Sequence, residues 1–400
     1  MAQCRRSYLS SAKLTSRPNL RAPLLAGFVA SITGTAASIG VVLAALTGLQ
    51  ATSGQTASAI FFMLVGYGVL SIVLSWRFKM PISIVWSTPG AAMLVAAGTL
   101  KLGFATAVGG FLITGLLLML TGLWPALGRF VSQIPKPIAS AMLAGVIFSF
   151  CVAPFASITT APFVVLPVLV VWLVLYRFAP IWASPISVTL AFVLIALTTQ
   201  INALNMSLLP HLEFVQPQFS LAGVFSVGIP LYIVTMAGQN IPGIAIMKSF
   251  GYEVPFRTTL ISTGAATVAG SFFGGFALNL AAITAALNAN EHAHKDPKKR
   301  WLASVSGGVL YLVLALLAAP AVSFVSAVPR ELILAAAGVA LFPTIVSAFT
   351  SATEDAKLRL AAIITFLVGA SGIAVAGIGA AFWALLAGVA VWLITASRGA

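Results

Sequence analysis

The stretch Gly270–Asn290, GSFFGGFALNLAAITAALNAN, decides the fold. It opens apolar and glycine-rich through Phe272, Phe273, Gly274, Gly275 and Phe276, reaches Asn279, and then runs from Leu280 to Leu287 with helical character. Asparagine is a preferred N-cap, because its side-chain oxygen accepts from the unpaired N–H groups of a first helical turn. A second stretch, Met80–Leu100, MPISIVWSTPGAAMLVAAGTL, repeats the design. Residues 81–86 favour extended chain, and Ser87-Thr88-Pro89 reads as a cap followed by proline at the first helical position. Each stretch predicts an extended segment that becomes a half-length helix partway across a membrane. Broken elements of this kind build midplane sites in many secondary transporters. The alternative is a proline kink at Pro89 with an incidental Asn279.

Composition sets the class. The chain has 400 residues, 60% hydrophobic and 7% charged, with a mean hydropathy of +1.08. Apolar runs long enough to span recur from Leu24 to Ile394, so an all-α polytopic membrane protein is expected. The short alternating segments of a transmembrane barrel are not seen. The net charge of +14 sits in short loops between the runs, where Lys and Arg set topology, which argues against a nucleic-acid partner. Cys4 and Cys151 suggest neither a disulfide framework nor a metal site, and the three histidines fall outside the runs, so no metal or cofactor is expected. Arg5-Arg6-Ser7-Tyr8-Leu9 has a twin-arginine look, but no short apolar region follows it directly. Residues 1–22 are therefore read as a basic cytoplasmic tail.

Fourteen membrane elements can be drawn: roughly 23–49, 57–76, 81–100, 104–123, 135–153, 162–178 and 184–200, then a polar connection over 201–219, then 220–247, 256–274, 275–290, 301–319, 330–349, 359–376 and 380–396. With both termini in the cytoplasm and one crossing per element, only Lys101 and Arg330 of the 21 basic residues fall outside. An internal repeat supports the count. Phe130–Lys136, FVSQIPK, is answered by Phe324–Arg330, FVSAVPR; Gly109-Gly110 by Gly307-Gly308; and Thr88-Pro89 by Asn279-Leu280. Seven is odd, so the second copy would be inverted relative to the first, and a substrate site would lie where the two broken elements meet.

Several groups are candidates for that site. The half-helix N-termini would point free N–H groups and positive dipole ends into one cavity, an anion site that needs no Lys or Arg. Met236–Gly243, MAGQNIPG, puts Gln239 and Asn240 inside an apolar run, either as ligand contacts or as interhelical hydrogen bonds. Ser31–Gly40, SITGTAASIG, reads more as close packing than as ligand contact. Trp86, Phe272, Phe273 and Phe276 would line an apolar pocket or face lipid and neighbouring helices. Lys295–Arg300, KDPKKR, reads as a solvated cytoplasmic loop. All seven acids fall in loops or at run ends, and no hydrolase or kinase motif appears, so an enzyme is not expected.

At MAGQNIPGIAI, followed by GGFALNLAAITAAL, the chain resembles the benzoate/proton symporter family over roughly residues 20–397. That family is related to the uracil/proton symporter, or nucleobase-ascorbate transporter, fold. The resemblance implies two inverted seven-segment repeats. Residues 23–123 and 220–319 would form a core domain, and 124–200 and 320–397 a gate domain. It implies proton-coupled uptake of a small aromatic carboxylate, benzoate, across the bacterial inner membrane by alternating access, often in a homodimer. Substrate would lie beside elements 3, 8 and 10, among Trp86, Ser87, Thr88, Gln239, Asn240, Phe276, Leu278 and Asn279. The uracil symporter type carries glutamates on elements 8 and 10. Here Gln239 and Leu278-Asn279 stand in those regions, which leaves Glu331 and Glu291 as candidates for proton coupling. The rival readings are a nucleobase/proton symporter and an anion channel on the same fold.

Overall fold

The computed structural model describes residues 21–198, 212–291, 293–326 and 330–396. The twin-arginine motif and most of the connection over 201–219 lie outside the described residues. The first half holds helices α1 (Arg21–Gly48) and α2 (Ser53–Phe78), strand β1 (Ile84–Trp86), and helices α3 (Thr88–Ala97), α4 (Phe104–Leu123), α5 (Pro125–Ser132), α6 (Lys136–Ala156), α7 (Pro162–Phe178) and α8 (Pro180–Thr198). The second holds α9 (Leu221–Ser249), α10 (Phe256–Ser271), strand β2 (Leu278–Leu280), α11 (Ile283–Ala289), α12 (Trp301–Leu316), α13 (Ala318–Ser326), α14 (Arg330–Thr353), α15 (Arg359–Ala370) and α16 (Ala380–Ala396). Every apolar run picked out of the sequence holds helix. Among the described residues, seven helices are long and apolar enough to cross a bilayer.

Local chemistry explains the breaks. Thr52 caps α2 through a reciprocal box with Gln55. Helix α9 is interrupted by two π turns, Val224–Gly228 and Met236–Asn240, each ending shortly before a proline, Pro230 and Pro242. Proline has no N–H to answer the carbonyl one turn back and its ring crowds that carbonyl, so the preceding turn widens.

Between helices that come from lipid, apolar burial drives little association; close packing and hydrogen bonds do. The contacts show this. A methyl at Gly27 of α1 would lie 1.8 Å from the Ala303 carbonyl oxygen of α12, so only glycine allows that approach. Helix α4 packs along α10, α2 along α12, and α6 along α14. Residues 212–219 are stitched over one end of the molecule. Val215 N–H donates to Phe272 O (2.7 Å), Gln218 N–H to Ala105 O (3.0 Å), and Phe214 stacks on Phe272. Phe272 and its neighbour Phe273, stacked on Phe62 of α2, are thus engaged in this end rather than in a central pocket.

The short run Ser371–Gly379 between α15 and α16 forms a tight loop closed by a Val375–Ile378 bridge, with positive φ at Gly372, Ala376 and Gly377. Ser226 of α9 holds it: its hydroxyl donates to Gly377 O (3.1 Å) and accepts from Gly379 N–H (3.0 Å).

Candidate functional site

The two broken elements meet. Strands β1 and β2 pair antiparallel, with Ile84 opposite Leu280, Val85 opposite Asn279 and Trp86 opposite Leu278. Further bonds, Ser87 N–H to Ala277 O (2.9 Å) and Ala281 N–H to Ser83 O (2.8 Å), extend the ladder at both ends. A two-stranded ribbon in an apolar interior exposes edge amides that must find partners. Here each outward N–H has one. Ile84 N–H donates to Ser71 Oγ (2.9 Å) and Trp86 N–H to the Tyr67 hydroxyl, both from α2. On the other edge Leu278 N–H donates to Thr267 Oγ1 of α10 (3.0 Å) and Leu280 N–H to Asn240 Oδ1 of α9 (2.9 Å).

This geometry corrects two expectations. Asn279 is not an N-cap: it lies within β2, and α11 starts at Ile283 without a side-chain cap. The chain stays extended past Asn279 because its N–H and C=O are spent on the ladder, and the helix begins only where pairing ends. The half-helix starts are also not tip to tip. The paired ribbon, Ser83–Ser87 against Ala277–Ala281, lies between them and runs about 13 Å, four residues of strand rise. Ser87 does cap α3, accepting from Gly90 N–H at 3.1 Å.

Helix α9 ties the starts together at its second π turn. Thr235 Oγ1 donates to Ser87 Oγ (2.9 Å), Gly238 approaches Pro89, and Gln239 Oε1 accepts from Ala282 N–H at the head of α11 (3.3 Å). Asn240 is fully buried and acts as an edge cap, whereas Gln239 is half-buried and its Nε2 has no hydrogen-bond partner among the described residues. Thr88, half-buried at the first position of α3, likewise has a hydroxyl with no such partner.

The ribbon has two unlike faces. Side chains at paired positions share a face. Ile84, Trp86, Leu278 and Leu280 are all buried. The Trp86 ring lies 5.1 Å from Tyr67 and its Nε1–H donates to Ser38 of α1 (2.9 Å); Leu278 fills the space beside Gly66, and Phe276 packs on Phe111. These three predicted site residues form the packed core behind the ribbon. The other face carries Ser83, Val85 and Ser87 against Ala277, Asn279 and Ala281, and Val85 retains partial exposure. Asn279 is fully buried; its Nδ2 donates to Leu280 O (3.1 Å), while its Oδ1 has no hydrogen-bond partner among the described residues. Helix α1 reaches the head of α11, with Gly34 close to the Thr284 hydroxyl, and Gly34–Ala37 are all half-buried. Thr33 and Thr35 have buried hydroxyls with no partner among the described residues. The small-residue run of α1 thus borders the site, and Thr35, Thr235 and Thr284 join the predicted residues. Only their position beside a broken helix marks them out, which the sequence alone did not convey.

Of the proton-coupling candidates, Glu291 is exposed just past α11. Glu331 stands in the first turn of α14, and its side chain lies outside the described residues. The expected solvated loop over Lys295–Arg300 holds an exception. Arg300 is only 5% exposed, and it donates from Nη1 to Ala289 O (2.6 Å), the last residue of α11, and from Nε to His294 O (2.7 Å). A cation there complements the negative end of the half-helix. Beside it, Tyr252 donates to Pro297 O (2.8 Å); burial pushes its hydroxyl pKa up, with Arg300 pulling it the other way.

The family model for the benzoate membrane transport protein matches residues 19–394. The chain is 35% identical to the inner membrane protein YdcO of Escherichia coli (strain K12), over 93% of this chain and 95% of that one. It is 29% identical to a benzoate membrane transport protein of Acinetobacter baylyi, over 92% and 94%. Among solved structures it is similar to the transmembrane domain of the cyanobacterial bicarbonate transporter BicA, with a TM-score of 0.57 and 16% identity over 95% of this chain and 98% of that one. It is also similar to the murine anion transporter Slc26a9 in its inward-facing state, with a TM-score of 0.57 and 14% identity over 94% and 68%. The fold is thus that of the BicA and SLC26 transporters, where the sequence resemblance pointed to the uracil symporter.

Proposed function

The chain belongs to the benzoate membrane transport protein family, a family of transporters rather than enzymes, and on that premise we propose that it carries benzoate or a close aromatic carboxylate inward with a proton. The observation that carries the reading is the ribbon. It gathers the start of α3, the second π turn of α9 and the head of α11 around one partly exposed floor lined by neutral polar groups. On this reading Thr88 and the free Nε2 of Gln239 hold the carboxyl group beside the positive end of α3. Val85 and the small residues of α1 receive the ring, and Trp86, Phe276 and Leu278 support the floor from behind.

The same proposal includes the inverted repeat and alternating access. It is supported by contacts that recur in order: Gly27 of α1 lies on α12, and Gly223 of α9 lies on Thr106 of α4. It is also supported by the antiparallel sense of the two strands. The core would comprise α1–α4 with α9–α12, and the gate α5–α8 with α13–α16, in a bacterial inner membrane with both termini cytoplasmic. Homodimerisation is part of the expectation and is checked by chemical cross-linking in membranes.

Labelled benzoate uptake into proteoliposomes, against protein-free vesicles, tests the function. Uptake above background, competed by benzoate and not by uracil, is the expected result. Uracil displacing benzoate at equal concentration would transfer the site to nucleobases, and currents far above carrier turnover would make it a channel. Thr88→Val and Gln239→Ala with unchanged benzoate affinity would remove the site assignment.

A further inference from the structure

The proposed uptake needs a titratable group that changes protonation during the cycle. Among the described residues, no carboxylate or histidine side chain contacts the ribbon. From α2 comes Tyr67, spent on Trp86 N–H, and from α12 comes Tyr311, 5.1 Å from the Tyr67 ring. Helix α10 contributes Thr267, α9 contributes Gln239 and Asn240, α3 Thr88, and α11 Thr284 and Asn288. Helix α1 contributes hydroxyls only. Arg300 spends its donors on the carbonyls of Ala289 and His294, at the C-terminal end of α11.

The hydrogen-bond inventory is as informative as the missing charge. The site offers donors, Thr88 Oγ1–H and Gln239 Nε2–H, but also a buried acceptor, Asn279 Oδ1. The orientation of that amide is fixed, because its Nδ2 already donates to Leu280 O at 3.1 Å. An ionised carboxylate has only acceptors and cannot satisfy Asn279 Oδ1, whereas a protonated carboxyl group presents one acceptor and one O–H donor. The energetics agree. The positive end of a short helix favours an anion by about 0.3–2 kcal/mol, while burying an ion in an apolar interior costs several kcal/mol. Protonating a carboxylate of pKa about 4 at pH 7 costs about 4 kcal/mol, of the same order as that desolvation, so the acceptor at Asn279 Oδ1 tips the balance to the neutral form.

We propose that this site, read as above as an aromatic-acid site, takes its ligand with the carboxyl group protonated, so that the coupled proton travels on the substrate itself. One carboxyl oxygen accepts from Thr88 and Gln239, and the other, carrying the proton, donates to Asn279 Oδ1. The balance is simple. A carboxylate and a proton from the outer solution form one O–H bond, no protein group changes protonation, and the inner solution receives carboxylate and proton. No net charge crosses. The substrate class follows: weak acids with a planar apolar body, but not permanently ionised analogues of the same shape.

The test uses the full chain in proteoliposomes with protein-free vesicles as background, comparing benzoate with benzenesulfonate, which stays ionised throughout. Expected are protein-dependent benzoate uptake without current on a solid-supported membrane, subsaturating rates rising about tenfold per unit fall in external pH above the acid's pKa, and benzenesulfonate competing at least about a hundredfold less well. A benzoate-evoked current, or equal competition by benzenesulfonate, overturns the proposal while leaving the aromatic-acid reading intact. Glu331→Gln and Glu291→Gln are expected to keep the pH dependence; its loss in either, with uptake retained, assigns the proton to that glutamate and overturns the proposal. Absence of any benzoate uptake or binding overturns the reading, and the proposal with it.

Discussion

Arg300 offers the sharpest check on the half-helix as a working part. Its guanidinium is buried and spends two donors on Ala289 O and His294 O, at 2.6 and 2.7 Å. Replacing it by methionine keeps much of the apolar bulk but leaves both carbonyls without a donor. Hydrogen bonds from a charged group contribute about 1.5–3 kcal/mol each, and the favourable cation at a helix C-terminus about 0.3–2 kcal/mol more. Against this stands relief from burying a charge that makes no ion pair among the described residues, worth several kcal/mol. The expected net loss for Arg300→Met is about 2–4 kcal/mol. Arg300→Lys restores charge but only one compact donor, and is expected to lose about 1–2 kcal/mol. Thermal unfolding of the detergent-purified protein, followed by size-exclusion fluorescence, orders the variants. Wild type should exceed Arg300→Lys, and Arg300→Lys should exceed Arg300→Met, with Lys298→Met, exposed in the same loop, unchanged. Should Arg300→Met melt with the wild type and transport at its rate, the claim that this arginine holds the half-helix fails.

Other consequences follow from the same contacts. Asn240→Leu strips the cap from Leu280 N–H and should cost about 1–3 kcal/mol, read as a lower melting temperature; an unchanged value would mean that the ribbon edge finds another partner. Gly27→Val drives a side chain into the Ala303 carbonyl and should abolish folded material on size exclusion, whereas Gly270→Ala, in open space, should be neutral. Ser226→Ala removes the tie to the Ser371–Gly379 loop. It should speed labelling of a Thr99→Cys reporter, which lines the adjoining cleft beside Ser226 and Gly379, by a membrane-impermeant thiol reagent. Labelling at the parental rate would show that this tie does not hold the loop over the cleft.

Much of this arrangement was legible in the sequence because its signals are local. Proline after Ser87-Thr88 announced the start of α3, and the Gly-rich lead into Asn279 announced a break before α11. What misled was Asn279 itself. A cap and a paired strand residue look alike in one dimension, and only the partner at Val85, almost two hundred positions away, decides between them. The amides of Gln239 and Asn240 posed the same difficulty. Their spacing marked a polar point in an apolar helix, but whether each serves a ligand or a backbone edge depends on the π turn that aims them. Arg300 looked like one more solvated cation in a basic run. Its burial follows from the half-helix ending eleven residues earlier with carbonyls in need of a donor, a long-range demand that charge counting does not register.

The ribbon has a mechanical corollary. Its two strands are bonded to each other along their inner edges, and their outer amides are anchored to three different long helices. Sliding one half-helix against the other by a single residue would release several of those bonds at once, in surroundings where water cannot replace them. Whatever displacement moves cargo across the bilayer must therefore shift this assembly as a single carriage, with the give located in the joints around it rather than at the place where the cargo rides.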